Sequence, residues 1–422
     1  MDVIIYKSEL KGSIKIPPSK SLSHRGIICA AMAEGTSNIT NLVYSKDIKA
    51  TIAAMKSLGS TVEEKESSVI VKGCKPHLVN KEIFCNESGS TVRFLIPIAL
   101  TTGEKVTFTG ANHLVNRPLD AYYEIFKKNN VAYKTPEGAF LPMILEGNLK
   151  PIDVDIIGNV SSQFISGLMF AYSNFKADTK INITTKLESK GYIDLTIDIL
   201  NKFGIEIINN NYESFVVRGG TLSPYNYEVE GDFSQVAFYE LAGKLHGNIE
   251  INGLNLQSKQ GDMEILKIGE KLGIKHTYGE KSIKYHISET KAIEVDLSET
   301  PDLGPAVFSI CALSKGKSII RGVERLRIKE CERVEAMVEA INLLGGSATD
   351  HGEYVEINGV ENLEGGVNLN GYNDHRIVMA LSVLGSVCHK PITISHAEAI
   401  NKSYPNFFDD LKALGGIFEL LK

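Results

Sequence analysis

The feature that most constrains the fold is a pair of markers that recur together about every 70 residues. The first is a short turn rich in Ser, Asp or Asn that opens an apolar run. It occurs six times, as PPSKS, ESGST, VSSQF, GDFSQ, SETPD and YNDHR. The second is a glycine or polar pair that ends a helix-like run before a strand-like one, near residues 59, 130, 204, 273, 345 and 415. Both markers recur six times with about the same distance between them, which predicts six copies of one supersecondary unit that fill the chain.

The segment STVRFLIPIALTTGEKVTFTG shows what one unit contains: an apolar run, a glycine and an alternating stretch. Long apolar runs predict helices that are covered on most sides, and alternation predicts half-exposed strands. The fold class is therefore α/β. The turns would cap one helix N-terminus per unit, and such ends attract anions because they carry free N–H groups and the positive end of the helix dipole.

Length and composition narrow the remaining possibilities. A chain of 422 residues favours two domains. No apolar run is long enough to span a membrane, and the start MDVIIYKSEL does not have the pattern of a signal peptide. The net charge of −6 argues against a nucleic-acid surface. The six cysteines are scattered without zinc-ligand spacing, which predicts reduced thiols, a cytoplasmic location and no metal site.

Arginine is scarce in this chain. The 45 basic residues include nine arginines, which leaves 36 lysines for the general surface. Arginine is preferred where carboxylate or phosphate is bound in a bidentate manner. Each arginine is therefore a candidate anion ligand.

Nine motifs occur in a fixed order: PPSKSLSHR, SGSTVR, NRP, SSQF, ESKGYID, PDLGPA, RIKECER, NDHR and NKSYP. As a set they resemble the EPSP synthases, the 3-phosphoshikimate 1-carboxyvinyltransferases of the enolpyruvyl transferase family. The resemblance runs from about Pro17 to Pro405. It implies a two-domain inside-out α/β barrel of six βαβαββ units, with the active site in the interdomain cleft. One domain would be residues 18–229, and the other residues 1–17 plus 230–422.

The resemblance also implies an activity. The family transfers the enolpyruvyl group of phosphoenolpyruvate to the 5-hydroxyl of shikimate-3-phosphate and releases phosphate, in the route to chorismate and the aromatic amino acids. It implies no cofactor and no metal. The expected partners are these two small substrates, with no nucleic acid and no membrane, and the protein is expected to be a monomer.

Four residues carry catalytic roles by the same resemblance. Asp302 would accept the proton of the 5-hydroxyl, and a carboxylate can do so as the oxygen attacks. Glu330 is a candidate for proton handling at the reacting carbon. Lys20 would lie between the two substrates, and His375 would belong to the phosphoenolpyruvate side.

The resemblance assigns further residues to binding. Those matching shikimate-3-phosphate ligands are Lys20, Ser21, Arg25, Ser161, Ser162, Gln163, Ser189, Tyr192, Asp302 and Lys329. Those matching phosphoenolpyruvate ligands are Lys20, Gly89, Arg117, Gln163, Glu330, Arg333, His375, Arg376 and Lys402. If RIKECER is helical, Lys329 and Arg333 are one turn apart and share a face.

Three positions stay outside this scheme. Glu87 and Arg325 depart from the residues that the family commonly has there, and His24 has no role beyond packing or solvent exposure.

Two alternative functions remain. The sister enzyme that uses a UDP-N-acetylglucosamine acceptor has a cysteine before its Arg-Pro, whereas GANHLVNRP has none. A non-catalytic anion-binding homologue would have lost proton-transfer groups, which are present here.

Overall fold

The computed structural model describes residues 1–421, and the chain divides into two compact units. The continuous unit is Pro18–Val229. The discontinuous unit combines Met1–Pro17 with the chain from Glu230 onward. Each unit has its own apolar core.

Residues 1–421 form twelve α-helices. They are α1 Lys20–Met32, α2 Lys46–Ser57, α3 Gly89–Leu100, α4 Tyr123–Asn129, α5 Ser162–Tyr172, α6 Lys190–Lys202, α7 Phe233–His246, α8 Glu264–Leu272, α9 Gly304–Ala312, α10 Arg333–Leu343, α11 His375–Gly385 and α12 Phe407–Ala413. Short 3-10 helices are Asn112–Asn116, Asp120–Tyr122, Gly261–Met263, Pro301–Leu303, Glu324–Ile328 and Ala397–Lys402.

The same part of the chain forms 24 strands. They are β1 Asp2–Tyr6, β2 Gly12–Lys15, β3 Gly35–Thr40, β4 Thr61–Glu64, β5 Ser68–Gly73, β6 Glu82–Phe84, β7 Val106–Thr109, β8 Ala132–Lys134, β9 Met143–Glu146, β10 Val154–Ile156, β11 Thr179–Ile183, β12 Ile207–Asn210, β13 Ser214–Val217, β14 Tyr227–Glu228, β15 Ile249–Asn252, β16 Lys275–Tyr278, β17 Ser282–His286, β18 Glu294–Asp296, β19 Gly316–Arg321, β20 Ser347–Asp350, β21 Tyr354–Gly359, β22 Asn368–Leu369, β23 Ile392–Ile394 and β24 Ile417–Leu421.

These strands make six four-stranded sheets, three in each unit, and all six have one topology. In the sheet β6-β7-β9-β8, β6 pairs parallel with β7, whereas β7–β9 and β9–β8 are antiparallel. With α3 and α4 between the strands, this sheet is a βαβαββ unit. The repeat predicted from the sequence is confirmed.

Some of the sheets join strands that are far apart in the chain, a pairing that the repeat markers alone do not show. Three sheets use strands that are consecutive in the chain: β6–β9, β10–β13 and β18–β21. The other three are each completed by a distant strand: β14 pairs with β3, β2 pairs with β15, and β1 pairs with β23 and β24. The six βαβαββ repeats are therefore not six uninterrupted segments of the chain.

The position of the helices explains the apolar runs. In α3, 11 of the 12 residues are buried, and α1, α5, α7, α9 and α11 are similarly covered. A helix that is apolar on all sides must be buried. Strands such as β5 alternate between buried and half-exposed residues instead. The helices thus form the inside of each unit and the sheets the outside, as the inside-out fold class requires.

The second marker has a common backbone conformation. Gly59, Gly204, Gly273, Gly345 and Gly415 have φ between 89° and 99°, and Asn130 has φ 55°. This left-handed region ends helices because it lets the next N–H groups return to the last carbonyls, and Gly or Asn adopts it most readily. No helix within residues 1–421 has the length and apolar character needed to cross a membrane.

Candidate active site

The six predicted turns all lie immediately before a buried helix. Five of them contain a side chain that caps the helix by accepting a backbone N–H: Ser19, Ser88, Ser161, Asp232 and Asp374. Such caps satisfy N–H groups that a helix leaves without partners. The sixth turn, SETPD, instead forms the 3-10 helix Pro301–Leu303 before α9. The capping role is therefore confirmed, with one variation.

In the continuous unit, Lys20 is the first residue of α1 and forms an ion pair with Asp47 of α2, with 2.9 Å between Nζ and Oδ2. The two side chains are 15% and 8% exposed. An ion pair at this depth is screened less than a surface pair. Asp47 therefore fixes the ammonium group next to the N-terminus of α1.

Arg25 lies one turn further along α1 and is buried. Its Nε donates to Thr196 Oγ1 at 2.8 Å, and its two terminal nitrogens donate to the carbonyls of Ser21 and Tyr192 at 2.8 and 2.9 Å. Burial lowers the pKa of Arg25 to about 10, although the group stays charged at neutral pH. Arg25 thus connects α1 to α6, and it brings together three of the predicted residues: Ser21, Arg25 and Tyr192.

A second group surrounds the N-terminus of α3. A Cβ added to Gly89 would lie 2.7 Å from an Arg117 guanidinium nitrogen, so Gly89 permits this close approach. Gln163 Nε2 donates to Ser90 Oγ at 2.8 Å, and Gln163 Oε1 accepts from Arg93 at 2.9 Å. The first turns of α3 and α5 are thereby joined, with two guanidinium groups beside them.

The remaining predicted residues of this unit lie at helix starts. Ser161 caps α5 and Ser162 is its first residue, both buried. Ser189 precedes α6 in a left-handed conformation with φ 56°. Half-buried Glu87 lies in the turn before α3.

In the discontinuous unit, the carboxylate of Asp302 contacts three cations. Its Oδ1 lies 3.2 Å from Lys329 Nζ and 3.0 Å from Arg333, and its Oδ2 lies 3.1 Å from Arg376. These four residues come from three separate chain segments. Asp302 is 20% exposed, so the carboxylate remains accessible to solvent.

Arg333 is buried among three carboxylates. It contacts Asp302, Glu330 at 2.6 Å and Asp374 at 2.8 Å. Burial alone lowers the pKa of a guanidinium, but Asp374, Glu330 and Asp302 together raise the pKa of Arg333 well above its usual value. A permanent charge therefore lies at the centre of this cluster.

The expectation that Lys329 and Arg333 share one helix is wrong. Glu332 caps α10 by accepting the N–H of Glu335, so the helix begins only at Arg333, and Lys329 lies in the preceding loop. The two cations meet at Asp302 nevertheless. Burial lowers the pKa of Lys329 to about 8, with Asp302 opposing this shift.

The start of α11 completes the cluster. Arg376 donates to Ser234 Oγ at 3.0 Å as well as to Asp302. His375 is 1% exposed. Lys402 Nζ donates to the carbonyl of Asn373 at 2.6 Å, immediately before this helix.

Sequence reasoning missed Asp47, Asp374 and Ser234, which contact predicted residues. Asp374 is completely buried and binds both Arg333 and the N–H of Arg376. The Asp in NDHR was a visible signal for it, since Asp before a helix start is a preferred cap. Arg325, one of the departures from the family pattern, is buried and lowers the pKa of Lys329.

Among the described residues, no group of three or more His, Cys, Asp or Glu could hold a metal ion.

Solved structures share the fold of this chain. The chain matches the EPSP synthase of Acinetobacter baumannii with a TM-score of 0.82 at 23% identity, over 100% of both chains. It matches the enolpyruvyl transferase NikO from Streptomyces tendae with a TM-score of 0.81 at 15% identity, over 99% of this chain and 98% of that one. The fold is that of an enolpyruvyl transferase.

Sequence comparison narrows the class to a family. A sequence model of EPSP synthase (3-phosphoshikimate 1-carboxyvinyltransferase) matches residues 5–411. A relative of that name from Clostridium acetobutylicum is 49% identical over 412 residues, covering 96% of each chain. Another from Clostridium novyi is 46% identical over 429 residues, covering 99% of this chain and 98% of its own. The chain belongs to the EPSP synthase family.

Proposed function

We propose that this protein transfers the enolpyruvyl group of phosphoenolpyruvate to the 5-hydroxyl of shikimate-3-phosphate and releases phosphate. The observation that carries the proposal is the contact of one accessible carboxylate, Asp302, with three cations from two other segments of the chain. Both substrates carry a phosphate and a carboxylate. Fixed cations offset the repulsion between such anions, which is strong where water is scarce.

The discontinuous unit supplies the base and part of the phosphoenolpyruvate side in this proposal. Arg333, Arg376 and Lys402 attract the phosphate and carboxylate of phosphoenolpyruvate, and His375 lies beside them at the start of α11. In the structure the same cations contact Asp302 or backbone carbonyls. The cations are therefore held in place before any substrate arrives, which reduces the reorganisation required during the reaction.

The reaction then proceeds by addition and elimination. The 5-hydroxyl oxygen forms a bond to C2 of phosphoenolpyruvate while its proton passes to Asp302. The methylene carbon C3 takes a proton from Glu330, the candidate acid, which acts here in its protonated form. In the second step, the new methyl group returns its proton to Glu330 as the C2–O bond to phosphate breaks. The leaving phosphate takes up the proton that Asp302 accepted, so both carboxyl groups return to their starting states. The products are the enol ether and inorganic phosphate, so atoms and charges balance.

The continuous unit supplies most of the shikimate-3-phosphate side. Ser161, Ser162 and Gln163 at the start of α5 offer hydroxyl, amide and backbone donors to the phosphate. Ser21, Arg25, Ser189 and Tyr192 contribute from α1 and from the start of α6, and Lys329 attracts the carboxylate. Lys20, Gly89 and Arg117 belong to the phosphoenolpyruvate ligands, and Lys20 and Gln163 act on both substrates.

The alternative acceptor, UDP-N-acetylglucosamine, has less support. The segment before Arg117 is the 3-10 helix Asn112–Asn116, which contains no cysteine. The full-length relatives are named for shikimate-3-phosphate chemistry. A monomeric state and a cytoplasmic location remain predictions from the sequence.

Phosphate release tests the proposed function. The purified protein should release inorganic phosphate only when phosphoenolpyruvate and shikimate-3-phosphate are both present. UDP-N-acetylglucosamine serves as the control acceptor. Equal release with UDP-N-acetylglucosamine would favour the sister activity, and no release with either acceptor would favour a non-catalytic homologue.

A further inference from the structure

His24 is the residue of the PPSKSLSHR motif to which the proposed chemistry assigns no role. Its ring is completely buried in α1, one turn after Lys20 and directly before Arg25. Nδ1 lies 2.7 Å from Thr51 Oγ1 of α2. No hydrogen-bond partner for Nε2 exists within the part of the chain that the structure describes.

The contact with Thr51 is the first of three connected hydrogen bonds. Thr51 Oγ1 lies 2.7 Å from Thr91 Oγ1 of α3. Thr91 Oγ1 donates to Ser88 Oγ at 2.7 Å, and Ser88 is the cap of α3. Exposure is 2% or less for all four side chains, so water does not compete for these bonds. We name this set, His24, Thr51, Thr91 and Ser88, the hydroxyl chain.

The direction of the hydroxyl chain follows from counting protons. Each hydroxyl has one proton to donate. Thr91 gives its proton to Ser88, so its oxygen accepts the proton of Thr51. The Thr51 oxygen must then accept from His24, which requires the tautomer with the proton on Nδ1. Burial, with Lys20 and Arg25, lowers the pKa of His24 well below its ordinary value, in agreement with a neutral ring.

The hydroxyl chain runs beside a second connection between the same two helices. Lys20 and His24 are four residues apart on α1, as are Asp47 and Thr51 on α2, so each pair shares one helix face. The Lys20–Asp47 ion pair and the His24–Thr51 hydrogen bond therefore form two successive connections between α1 and α2.

The far end of the hydroxyl chain determines where α3 begins. Ser88 accepts the N–H of Thr91 at 3.2 Å together with the Thr91 hydroxyl, which fixes the first turn. That turn contains Gly89, against which Arg117 packs, and Ser90, which accepts from Gln163. The hydroxyl chain thus connects the helix that carries Lys20 to the helix start beside Arg117.

We propose that His24, Thr51 and Thr91 are positioning residues that hold Lys20 at a fixed distance from the N-terminus of α3, and that they thereby set the affinity for phosphoenolpyruvate. The proposal rests on the proposed function, because Lys20, Gly89 and Arg117 are the phosphoenolpyruvate ligands of this unit. A misplaced cation weakens binding of the anion it faces, whereas Ser161 and Ser162, which are assigned to shikimate-3-phosphate alone, are not part of the hydroxyl chain.

The test compares Thr91→Val with Thr91→Ser. Valine keeps the shape but removes the hydroxyl, and serine keeps the hydroxyl. We expect Thr91→Val to raise KM for phosphoenolpyruvate about tenfold, the size of effect expected for a buried hydroxyl network that is left incomplete. KM for shikimate-3-phosphate should rise by a clearly smaller factor, because Lys20 is only one of the ten residues assigned to that substrate. Thr91→Ser, which keeps the hydroxyl, should have wild-type KM values. Thr51→Val should act like Thr91→Val, and it replaces that variant if Thr91→Val does not fold.

Thr290→Val is the matched control, because Thr290 forms a similar buried hydroxyl pair with Ser314 at 2.6 Å in the discontinuous unit. It should lower the melting temperature and leave both KM values unchanged. The proposal is overturned if Thr91→Val and Thr51→Val lose stability while KM for phosphoenolpyruvate is unchanged, if both KM values rise equally, or if serine does not rescue.

A second readout does not depend on activity, so it separates failure of this inference from failure of the proposed function. Nitrogen-15 NMR of histidine-labelled protein, with the His24 signal assigned from His24→Asn, should show a neutral ring protonated at Nδ1. A ring protonated at Nε2 would overturn the deduced direction of the hydroxyl chain, whether or not the enzyme turns over.

Discussion

Asp374→Asn is the substitution whose consequence can be worked out most fully. Asp374 is completely buried, and its carboxylate accepts from Arg333 at 2.8 and 3.4 Å and from the N–H of Arg376 at 2.8 Å. Asparagine caps a helix about as well as aspartate, so the contact with the Arg376 N–H should survive. The contact with Arg333 loses its charge.

The size of the loss follows from what Arg333 retains. Removing one partner of a buried ion pair costs about 3–5 kcal/mol when no other compensation exists. Arg333 keeps Asp302 and Glu330, so we expect a cost nearer that of one charge-assisted hydrogen bond, about 2–3 kcal/mol. For a unit of this size, that corresponds to a fall of about 5–10 °C in the melting temperature.

Differential scanning calorimetry measures this fall directly, and Asp296→Asn serves as the control. Asp296 is exposed, and its Oδ1 accepts the N–H of Ser298, which asparagine can also do. The control should melt within about 1 °C of the wild type because surface substitutions have small effects. If Asp374→Asn melts as close to the wild type as Asp296→Asn does, the assignment of Asp374 as the buried counter-charge is refuted.

Further predictions concern activity and pH. Asp302→Asn should lower kcat at least about a hundredfold with shikimate-3-phosphate still bound, as measured by phosphate release and calorimetric titration, and near-normal turnover would exclude it as the base. Gly89→Ala should raise KM for phosphoenolpyruvate more than KM for shikimate-3-phosphate, because the added Cβ would lie 2.7 Å from the Arg117 guanidinium; unchanged kinetics would contradict the close approach. Since the pKa of Lys329 is lowered to about 8, KM for shikimate-3-phosphate should rise above pH 8 as that charge is lost, and a rise that persists in Lys329→Arg would count against this cause. Burial raises the pKa of Glu240 well above its usual value, so the native state holds a proton that the unfolded state has lost. The free energy of unfolding of the wild type should therefore fall as pH rises above the pKa of the unfolded state, by up to about 1.4 kcal/mol per pH unit. Denaturant titrations of Glu240→Gln should show a weaker dependence on pH, and parallel wild-type and variant profiles would contradict this prediction.

The repeated fold could be predicted because its signals are local. The second helix of each repeat ends at a left-handed residue, and Gly or Asn stands at all six of these positions, from Gly59 to Gly415. Each buried helix needs a cap, and a short polar side chain supplies it at five of the six turns. These requirements depend on neighbouring residues alone, so they are visible in the sequence.

The pairings between distant strands are not visible in the local sequence pattern, because the pairing of β2 with β15 joins residues more than 200 positions apart. The helical interpretation of RIKECER failed for a different reason. The spacing of Lys329 and Arg333 fits a helix, but the cap at Glu332 stops the helix short of Lys329. Their contact depends on Asp302, which comes from another segment.

The buried partners of the site were missed because their sequence signals are ambiguous. In the sequence, Asp47 is typical of an acidic residue in the first turn of a helix, here α2. Thr51 and Thr91 are typical of ordinary helix residues of average polarity. Only the packing of α1, α2 and α3 shows that Asp47 binds Lys20 and that His24 reaches Ser88 through two hydroxyl groups.

The most direct measurement of the central claim is the identity of the product. Proton and phosphorus NMR of a mixture of enzyme, phosphoenolpyruvate and shikimate-3-phosphate should show inorganic phosphate and a new enol ether, with its pair of vinyl protons, growing in equal amounts. Neither signal should grow when shikimate-3-phosphate is omitted or replaced by UDP-N-acetylglucosamine. Phosphate that appears without the enol ether, or an enol ether formed on the nucleotide sugar, would contradict the account.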